Sequence, residues 1–368
     1  MTDKKIRAIG TGVLVLLWLA LTVFAWFGPA KDMSEAERRP LAQAPEFSVE
    51  TVMNGSFMKD FESYTLDQFP LRDSFRQTKS LFHYYGLQQW DNNDIYVTDG
   101  FAAKLEYPLN ADSISRAVGR FNRFIEKYAA EGSKIYFAVA PDKGYYLAED
   151  KGYLSMDYSA MFAQLQNGMP GVQFVDLTGC LSYDDYYRTD THWRQEKLLE
   201  AAAKLCQAMG VTAPDEQAYT QTALERPFYG VYYGQAALPM QPETLYIMES
   251  QLLQQCKVYD YESGKYGDVY DMSKLDSRDL YDVFLSGSRS LLTIENPNAA
   301  TDRELVVVRD SFGSSMVPLL VQDYAKVHVI DIRYVNLEVV DKFLDLSGQK
   351  DYLFLYSTLV LNNSNTIK

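Results

Sequence analysis

Histidine is almost missing from this sequence: His83, His192 and His328 are the only three among 368 residues. Any imidazole chemistry must come from one of those positions. Cysteine is as scarce. Cys180, Cys206 and Cys256 fit neither a zinc-ligand spacing nor a CxxC motif, and the odd count leaves at least one thiol free in a monomer. A Cys180–Cys206 disulfide is allowed, but plain buried thiols are the expectation. Positive charge is short too: 35 Lys and Arg face 49 Asp and Glu, a net charge of −14. A phosphate backbone needs a basic surface, so nucleic acid is excluded as a partner. Electrostatic adhesion of the folded part to anionic lipid is disfavoured for the same reason. There is no internal repeat and no low-complexity tract. No cluster has metal-ligand spacing, and nothing calls for a cofactor.

Aromatic residues are abundant, with 28 Tyr and 19 Phe, enough to build a sizeable core in one large domain or two small ones. The N-terminus is apolar from Ala8 to Phe27, behind Lys4, Lys5 and Arg7. Roughly 20 apolar residues cross a bilayer as a helix. The preceding positive charge keeps the N-terminus cytoplasmic, so the rest of the chain lies outside. A cleaved signal peptide ending near Gly28-Pro29-Ala30 is the rival reading; the length of the run favours an uncleaved transmembrane anchor. The expected division is an anchor over 1–29, a Pro-containing linker over 30–48, and an ectodomain over 49–368.

Within the ectodomain, helical spacing runs from Phe57 to about Tyr85, interrupted at Phe69-Pro70, which predicts two helices. Apolar strands follow at Lys134–Ala140, Val172–Leu177, Glu304–Val308, Val327–Ile332 and Tyr352–Tyr356. Between them the pattern predicts helices over 155–168, Arg194–Met209, Ser314–Tyr324 and 338–346. Strands alternating with helices indicate an α/β fold, a mostly parallel sheet covered on both faces. Residues 211–300, rich in Tyr, Gln, Gly and Asp, break the rhythm and read as an irregular insertion at the sheet's functional edge.

His83 sits among aromatics on a predicted helix and reads as a packed or surface residue; His328 lies inside a buried strand and reads as a hydrogen-bonded core imidazole. His192 differs. It follows Asp190 by two residues, in Tyr186-Tyr187-Arg188-Thr189-Asp190-Thr191-His192-Trp193, just ahead of a helix. A carboxylate there can hold one ring nitrogen and free the other as a base. Capping alone accounts for Asp190 or Thr191 but not for His192 and Trp193. The second constellation is Val306-Val307-Val308-Arg309-Asp310-Ser311-Phe312-Gly313-Ser314, a buried strand running into a turn. Sites form at the carboxyl ends of parallel strands, and a serine there needs an adjacent base. His192 is the one suitable histidine. Ser311 as an ordinary helix cap is the bland alternative.

Asp190-Thr191-His192-Trp193 resembles the motif after which the DHHW family is named, with Thr191 at its second position. The stretch also resembles the SGNH-hydrolase-like domains of AlgJ/AlgX-type alginate O-acetylation proteins. Asp67-Gln68-Phe69-Pro70-Leu71-Arg72, Pro141-Asp142-Lys143, Tyr281 to Gly287, and Asp310-Ser311-Phe312 agree in order, so the likeness spans roughly 55–356. The resemblance implies Ser311 as nucleophile, His192 as base and Asp190 as its orienting acid, in an order permuted from ordinary SGNH hydrolases. It implies O-acetyl transfer to a cell-surface or exported polysaccharide, with an MBOAT-type membrane acyltransferase as partner. Where relatives carry a Gly-Asn pair this chain reads Gly287-Ser288-Arg289, which leaves the backbone N–H groups of Ser311 and Gly287 as oxyanion candidates. Lys143, Tyr145, Tyr187, Trp193 and Arg309 are the substrate-binding candidates. The competing classes are a carbohydrate esterase, a non-catalytic carbohydrate-binding or scaffold module with an unused triad, and an envelope protein whose Asp190–Trp193 turn is structural.

Overall fold

A computed structural model describes residues 3–34 and 36–368. Residues 1, 2 and 35, which fall within the expected anchor and linker, lie outside the described residues. The chain divides into two compact units, one made of Met1–Asn92 with Tyr233–Pro239 and the other of Asn93–Tyr232 with Met240–Lys368.

The larger unit is organised by one eight-stranded sheet. Its strands are β1 (Lys134–Ala140), β2 (Gln173–Val175), β3 (Lys257–Asp260), β4 (Lys265–Gly267), β5 (Leu291–Glu295), β6 (Glu304–Arg309), β7 (Lys326–Ile330) and β8 (Asp351–Ser357). They lie in the order β4-β3-β5-β7-β6-β8-β1-β2. The run β7-β6-β8-β1-β2 is parallel, and β5, β3 and β4 extend it antiparallel.

The central strands read as near-continuous apolar runs because both their faces are covered. Along β6, Leu305 and Val307 point into one core while Val306 and Val308 point into the other. Along β8, Leu353 and Leu355 join the first core and Tyr352, Phe354 and Tyr356 the second. Each such side chain contributes roughly 1.5–3 kcal/mol on burial. The helix Leu199–Met209 covers the first face through Ala202, Leu205 and Cys206. The helices Ala111–Tyr128 and Tyr158–Gly168 cover the second. The Ala111–Tyr128 helix went unread in the sequence, although Ile114, Ala117, Phe121, Phe124 and Tyr128 mark one buried face and Asn110 caps it. A hairpin of Ile95–Thr98 with Phe101–Lys104 was also missed. Asp99 and Gly100 both have positive φ there, the Asp-Gly signature of a tight turn.

Four expectations need correcting. The predicted Arg194–Met209 helix begins as α-helix only at Leu199, after a 3-10 turn over Gln195–Lys197. Gln195 is drawn inward, its amide bonded to Ser315 O and Met248 N, and this holds the first turn out of helical register. The Ser314–Tyr324 helix is α only over Gly313–Met316 and then 3-10 over Val317–Leu320. Pro318 has no N–H with which to continue the ladder. Residues 338–346 form 3-10 turns over Leu337–Lys342, where adjacent Val339 and Val340 are poor helix formers. Residues 211–300 are not simply irregular. They supply a hairpin, Thr220–Phe228 with Glu243–Glu249, and then β3, β4 and β5 of the main sheet. Their strands KVYD, KYG and LLTIE are too short to show as apolar runs.

In the smaller unit a helix spans Asp3–Phe27, and Lys4–Phe27 is long and apolar enough to cross a membrane, with none of it buried. That is compatible with a single-pass anchor or a signal sequence. Helices Ser56–Asp67 and Arg72–Leu81 flank Phe69-Pro70 as expected. Within the stretch expected as a linker, Met33–Ser34 pairs with Arg39–Pro40, and Arg39 grips the Asp67 carboxylate at 2.8 and 2.6 Å. That contact holds the Asp67 carboxyl down at about 2.

Candidate active site

Ser311 follows the carboxyl end of β6 and begins the turn into the Gly313–Met316 helix. Asp310, fully buried, shapes this turn. Its Oδ1 accepts from Phe312 N at 3.0 Å, and its Oδ2 accepts from Ser357 N and Oγ at 2.7 and 2.6 Å, at the end of β8. The nucleophile candidate is thus fixed to two neighbouring parallel strands. Glycine is needed at 313 by close packing, since a Cβ there would stand 2.7 Å from Arg309 Cβ.

His192 reaches the same place from the other turn. Its Nε2 lies 2.8 Å from Ser311 Oγ, and its Nδ1 lies 2.6 Å from Asp190 Oδ1. Asp190 Oδ1 also accepts from His192 N at 3.0 Å, and Oδ2 accepts from Val231 N at 2.8 Å. The carboxylate is fully buried and His192 nearly so, whereas Ser311 is half-buried and open to a reactant. A carboxylate that accepts from Nδ1 leaves Nε2 as acceptor for the serine proton.

Three contacts that do not involve the reacting atoms hold the turns together. The buried Trp193 indole N–H is shared by Phe312 O and Ser315 Oγ, both at 3.0 Å. Gln195 Nε2 donates to Ser315 O at 2.9 Å. Tyr281 lays its ring flat on His192, centroids 3.9 Å apart and planes 9° from parallel, and its hydroxyl lies 2.8 Å from Ser315 Oγ. Phe312 flanks the same imidazole at 5.0 Å.

Behind the base turn, Glu243 accepts from Arg188 N, Thr189 N and Thr189 Oγ1 at 2.9, 2.9 and 3.0 Å. Gly230 N donates to Thr189 Oγ1 at 2.9 Å. A Cβ on Gly230 would sit 2.3 Å from Asp190 Cα, so only glycine allows this segment to pass. Sequence reasoning missed Tyr281, Gly230, Val231, Glu243 and Ser315 as site-forming residues. Tyr281 lay in a segment already noticed for its resemblance; the others carry no local signal.

The substrate-binding candidates are mostly turned inward. Lys143 is buried, its ammonium donating to Tyr187 O at 2.7 Å and facing the Tyr232 ring at 5.1 Å. Burial pushes it down to about 7, against the pull of Asp190, Glu243 and Asp142. Tyr187 is packed edge-on against Phe228 at 4.8 Å, and Trp193 is fully buried. Arg309 is fully buried as well and faces Asp331 at 3.5 Å, so it meets no external glycan. Tyr145 is half-buried, edge-on to Tyr146 and Tyr158. Of the oxyanion candidates, Gly287 N–H is already engaged by Phe284 O at 3.1 Å, within a turn where Leu285, Ser286 and Gly287 all have positive φ. Ser311 N–H has no hydrogen-bond acceptor among the described residues.

His328 bonds to Thr293 and Glu304 within the sheet, a packing role. All three cysteines are free thiols; burial pushes Cys206 up to about 12 and Cys256 up to about 11. Among the described residues no group of three or more His, Cys, Asp and Glu side chains is arranged for a metal ion.

A mainly parallel sheet flanked by helices, with Asp, His and Ser side chains gathered past its strand ends, defines an α/β protein similar to SGNH-like folds. Residues 174–330 match the family described as DHHW protein. A DHHW family protein from Eubacterium siraeum DSM 15702 shares the fold with a TM-score of 0.62 at 21% identity, covering 75% of this chain and 95% of that one. Bacillus cereus PatB1 with a sulfonyl adduct gives a TM-score of 0.58 at 16% identity, covering 73% and 95%. A further structure of Bacillus cereus PatB1 gives 0.55 at 17% identity, covering 74% and 98%. No curated protein matches the chain.

Proposed function

We propose that this protein is an extracytoplasmic O-acyltransferase that moves an acetyl group onto a cell-surface or exported polysaccharide. The observation that carries the reading is the continuous hydrogen-bonded line Asp190–His192–Ser311, ending at a half-buried hydroxyl. In this reading His192 Nε2 takes the proton of Ser311 Oγ as the oxygen bonds to the acetyl carbonyl carbon. The leaving group of the donor departs with that proton, and an acetyl-serine remains. A sugar hydroxyl then gives its proton to Nε2 and attacks the ester carbonyl. Ser311 leaves and recovers the proton. The Ser311 N–H is the candidate donor to the oxyanion formed at each step. Sulfonyl groups add to nucleophilic side chains, and the sulfonyl adduct on PatB1, a protein of similar fold, agrees with a nucleophile in such a scaffold.

The remaining parts follow the same reading. The Lys4–Phe27 helix anchors the chain, the basic residues before it stay in the cytoplasm, and the units beyond it face outward. A membrane acyltransferase of the MBOAT type supplies the acetyl group. Transfer to water instead of sugar would make the protein an esterase.

Purified full-length protein in detergent, given a chromogenic acetyl ester, should release chromophore. Ser311→Ala and His192→Ala should each lower kcat by on the order of 10³-fold or more. A sulfonyl fluoride should label the Ser311 peptide in the parent and no peptide in Ser311→Ala. Turnover that neither substitution changes removes the assignment. Adding oligosaccharide and weighing the product separates transfer from hydrolysis.

A further inference from the structure

The Arg72–Leu81 helix and the π-turn Phe82–Gly86 after it bury ionic and polar side chains on one face and leave large apolar ones exposed. Arg72, Arg76 and Ser80 form the inward face. Arg72 pairs with Glu37, and Arg76 donates to Gly234 O at 2.8 Å and pairs with Glu37 at 3.1 Å. Ser80 is fully buried and donates to Ala236 O at 2.6 Å. Steps of four and three residues along the other face give Leu71, Phe75, Thr78, Phe82 and Tyr85. The four large side chains there are 68, 49, 59 and 77% exposed. Asp73 and Lys79 are exposed, as on any surface helix, but a surface helix ordinarily buries its large apolar side chains, and none of these four is buried. A row of large exposed apolar side chains, broken only by Thr78, marks a surface that meets something.

The same unit points to the occupant. The outer end of the Lys4–Phe27 helix is joined by aromatic contacts to the helix that precedes this one. Trp26 packs on Phe61 at 6.2 Å, Phe61 on Phe57 at 5.9 Å, and Phe57 on Phe47 at 5.5 Å. Gln68 Nε2 donates to Lys31 O at 2.8 Å, which ties the end of the Ser56–Asp67 helix to the chain just past the anchor. Phe, Tyr and Trp suit the boundary between headgroups and acyl chains. Lys79, exposed between Phe75 and Phe82, has a stem long enough to return its ammonium to the headgroups. With a chain charge of −14 the contact is apolar and not electrostatic.

We infer that the face formed by Leu71, Phe75, Phe82 and Tyr85 beds into the outer leaflet of the bilayer that the Lys4–Phe27 helix spans. The partner surface is lipid. The inference rests on the anchor reading given above and adds a second, parallel contact with the membrane.

The test uses the full chain in phosphatidylcholine vesicles. Single environment-sensitive labels are placed at Phe82→Cys, Tyr85→Cys, Leu16→Cys and Glu62→Cys, each with Cys180→Ser; Cys206 and Cys256 are buried and stay unlabelled. Nitroxide-bearing lipid should quench labels at 16, 82 and 85, and aqueous iodide should quench the label at 62 at least about fivefold more than those at 82 and 85. If iodide reaches 82 and 85 as freely as 62 while 16 stays shielded, the anchor stands and this inference falls. If iodide also reaches 16, both fall. Shielding of 82 and 85 that needs native membranes, and is absent in lipid alone, assigns the face to a protein and overturns the lipid contact.

Discussion

Tyr281 and His192 stack ring on ring, 3.9 Å between centroids and 9° from parallel, from segments 89 positions apart in sequence (281 minus 192). The stack fixes the plane in which Nε2 faces Ser311, while the Tyr281 hydroxyl ties the stack to Ser315. An aromatic pair of this kind is worth about 0.5–1.5 kcal/mol beyond its burial. Tyr281→Phe should therefore keep most ester turnover, and Tyr281→Leu should lower kcat about three- to tenfold with little change in KM. Equal losses in the two variants would assign the effect to the hydroxyl and not to the stack.

Asp190→Asn should separate tautomer control from architecture. The amide keeps an acceptor for the Val231 N–H but cannot hold Nδ1 protonated in the same way. The expected loss in kcat is on the order of 10³- to 10⁴-fold, with a modest fall in melting temperature. A variant that unfolds several degrees earlier yet turns over ester at the parental rate would make the turn structural.

Gly230→Ala puts a methyl 2.3 Å from the Asp190 backbone. Either the 228–232 segment or the base turn must move. Overpacking costs of this sort run about 1–3 kcal/mol. Denaturation midpoint and ester turnover should fall together, whereas Gly119→Ala, where the methyl meets open space on an exposed helix face, should leave turnover unchanged and raise the midpoint slightly.

Lys143 gives a pH signature. Its folded-state value is pushed down to about 7, while a lysine in the unfolded chain keeps its proton to about 10.4. Between these values the unfolded chain binds more protons, so the contribution of this group to stability rises with pH. Below about 7 both states are charged, and the buried ammonium carries its full desolvation cost. Going from about pH 6.5 to about pH 9, the parent should gain roughly 1–3 kcal/mol relative to Lys143→Met, read from denaturant midpoints. Parallel midpoints in the two proteins would mean that Lys143 is not desolvated.

Much of this was readable before any coordinates. The runs Lys134–Ala140 and Glu304–Val308 declared themselves because strands covered on both faces are apolar without interruption. The two turns that carry His192 and Ser311 stood out through scarcity, one usable imidazole and one serine at a strand end. The antiparallel extension by β3, β4 and β5 did not show, since these strands are only three to five residues long and their pairing depends on partners distant in sequence. The inward course of Lys143 and Arg309 was likewise invisible. A charged side chain reads as exposed until the carbonyls and carboxylates waiting for it are known. Glu243 behind Thr189 and Gly230 across Asp190 are tertiary facts with no local trace.

The indole of Trp193 clamps the base turn to Phe312 and Ser315 without help from the serine hydroxyl. Erasing that hydroxyl should thus remove ester turnover and spare the arrangement of the two turns. A Ser311→Ala protein becomes a faithful mould of the working one, suited to capturing an intact donor or acceptor for crystallography.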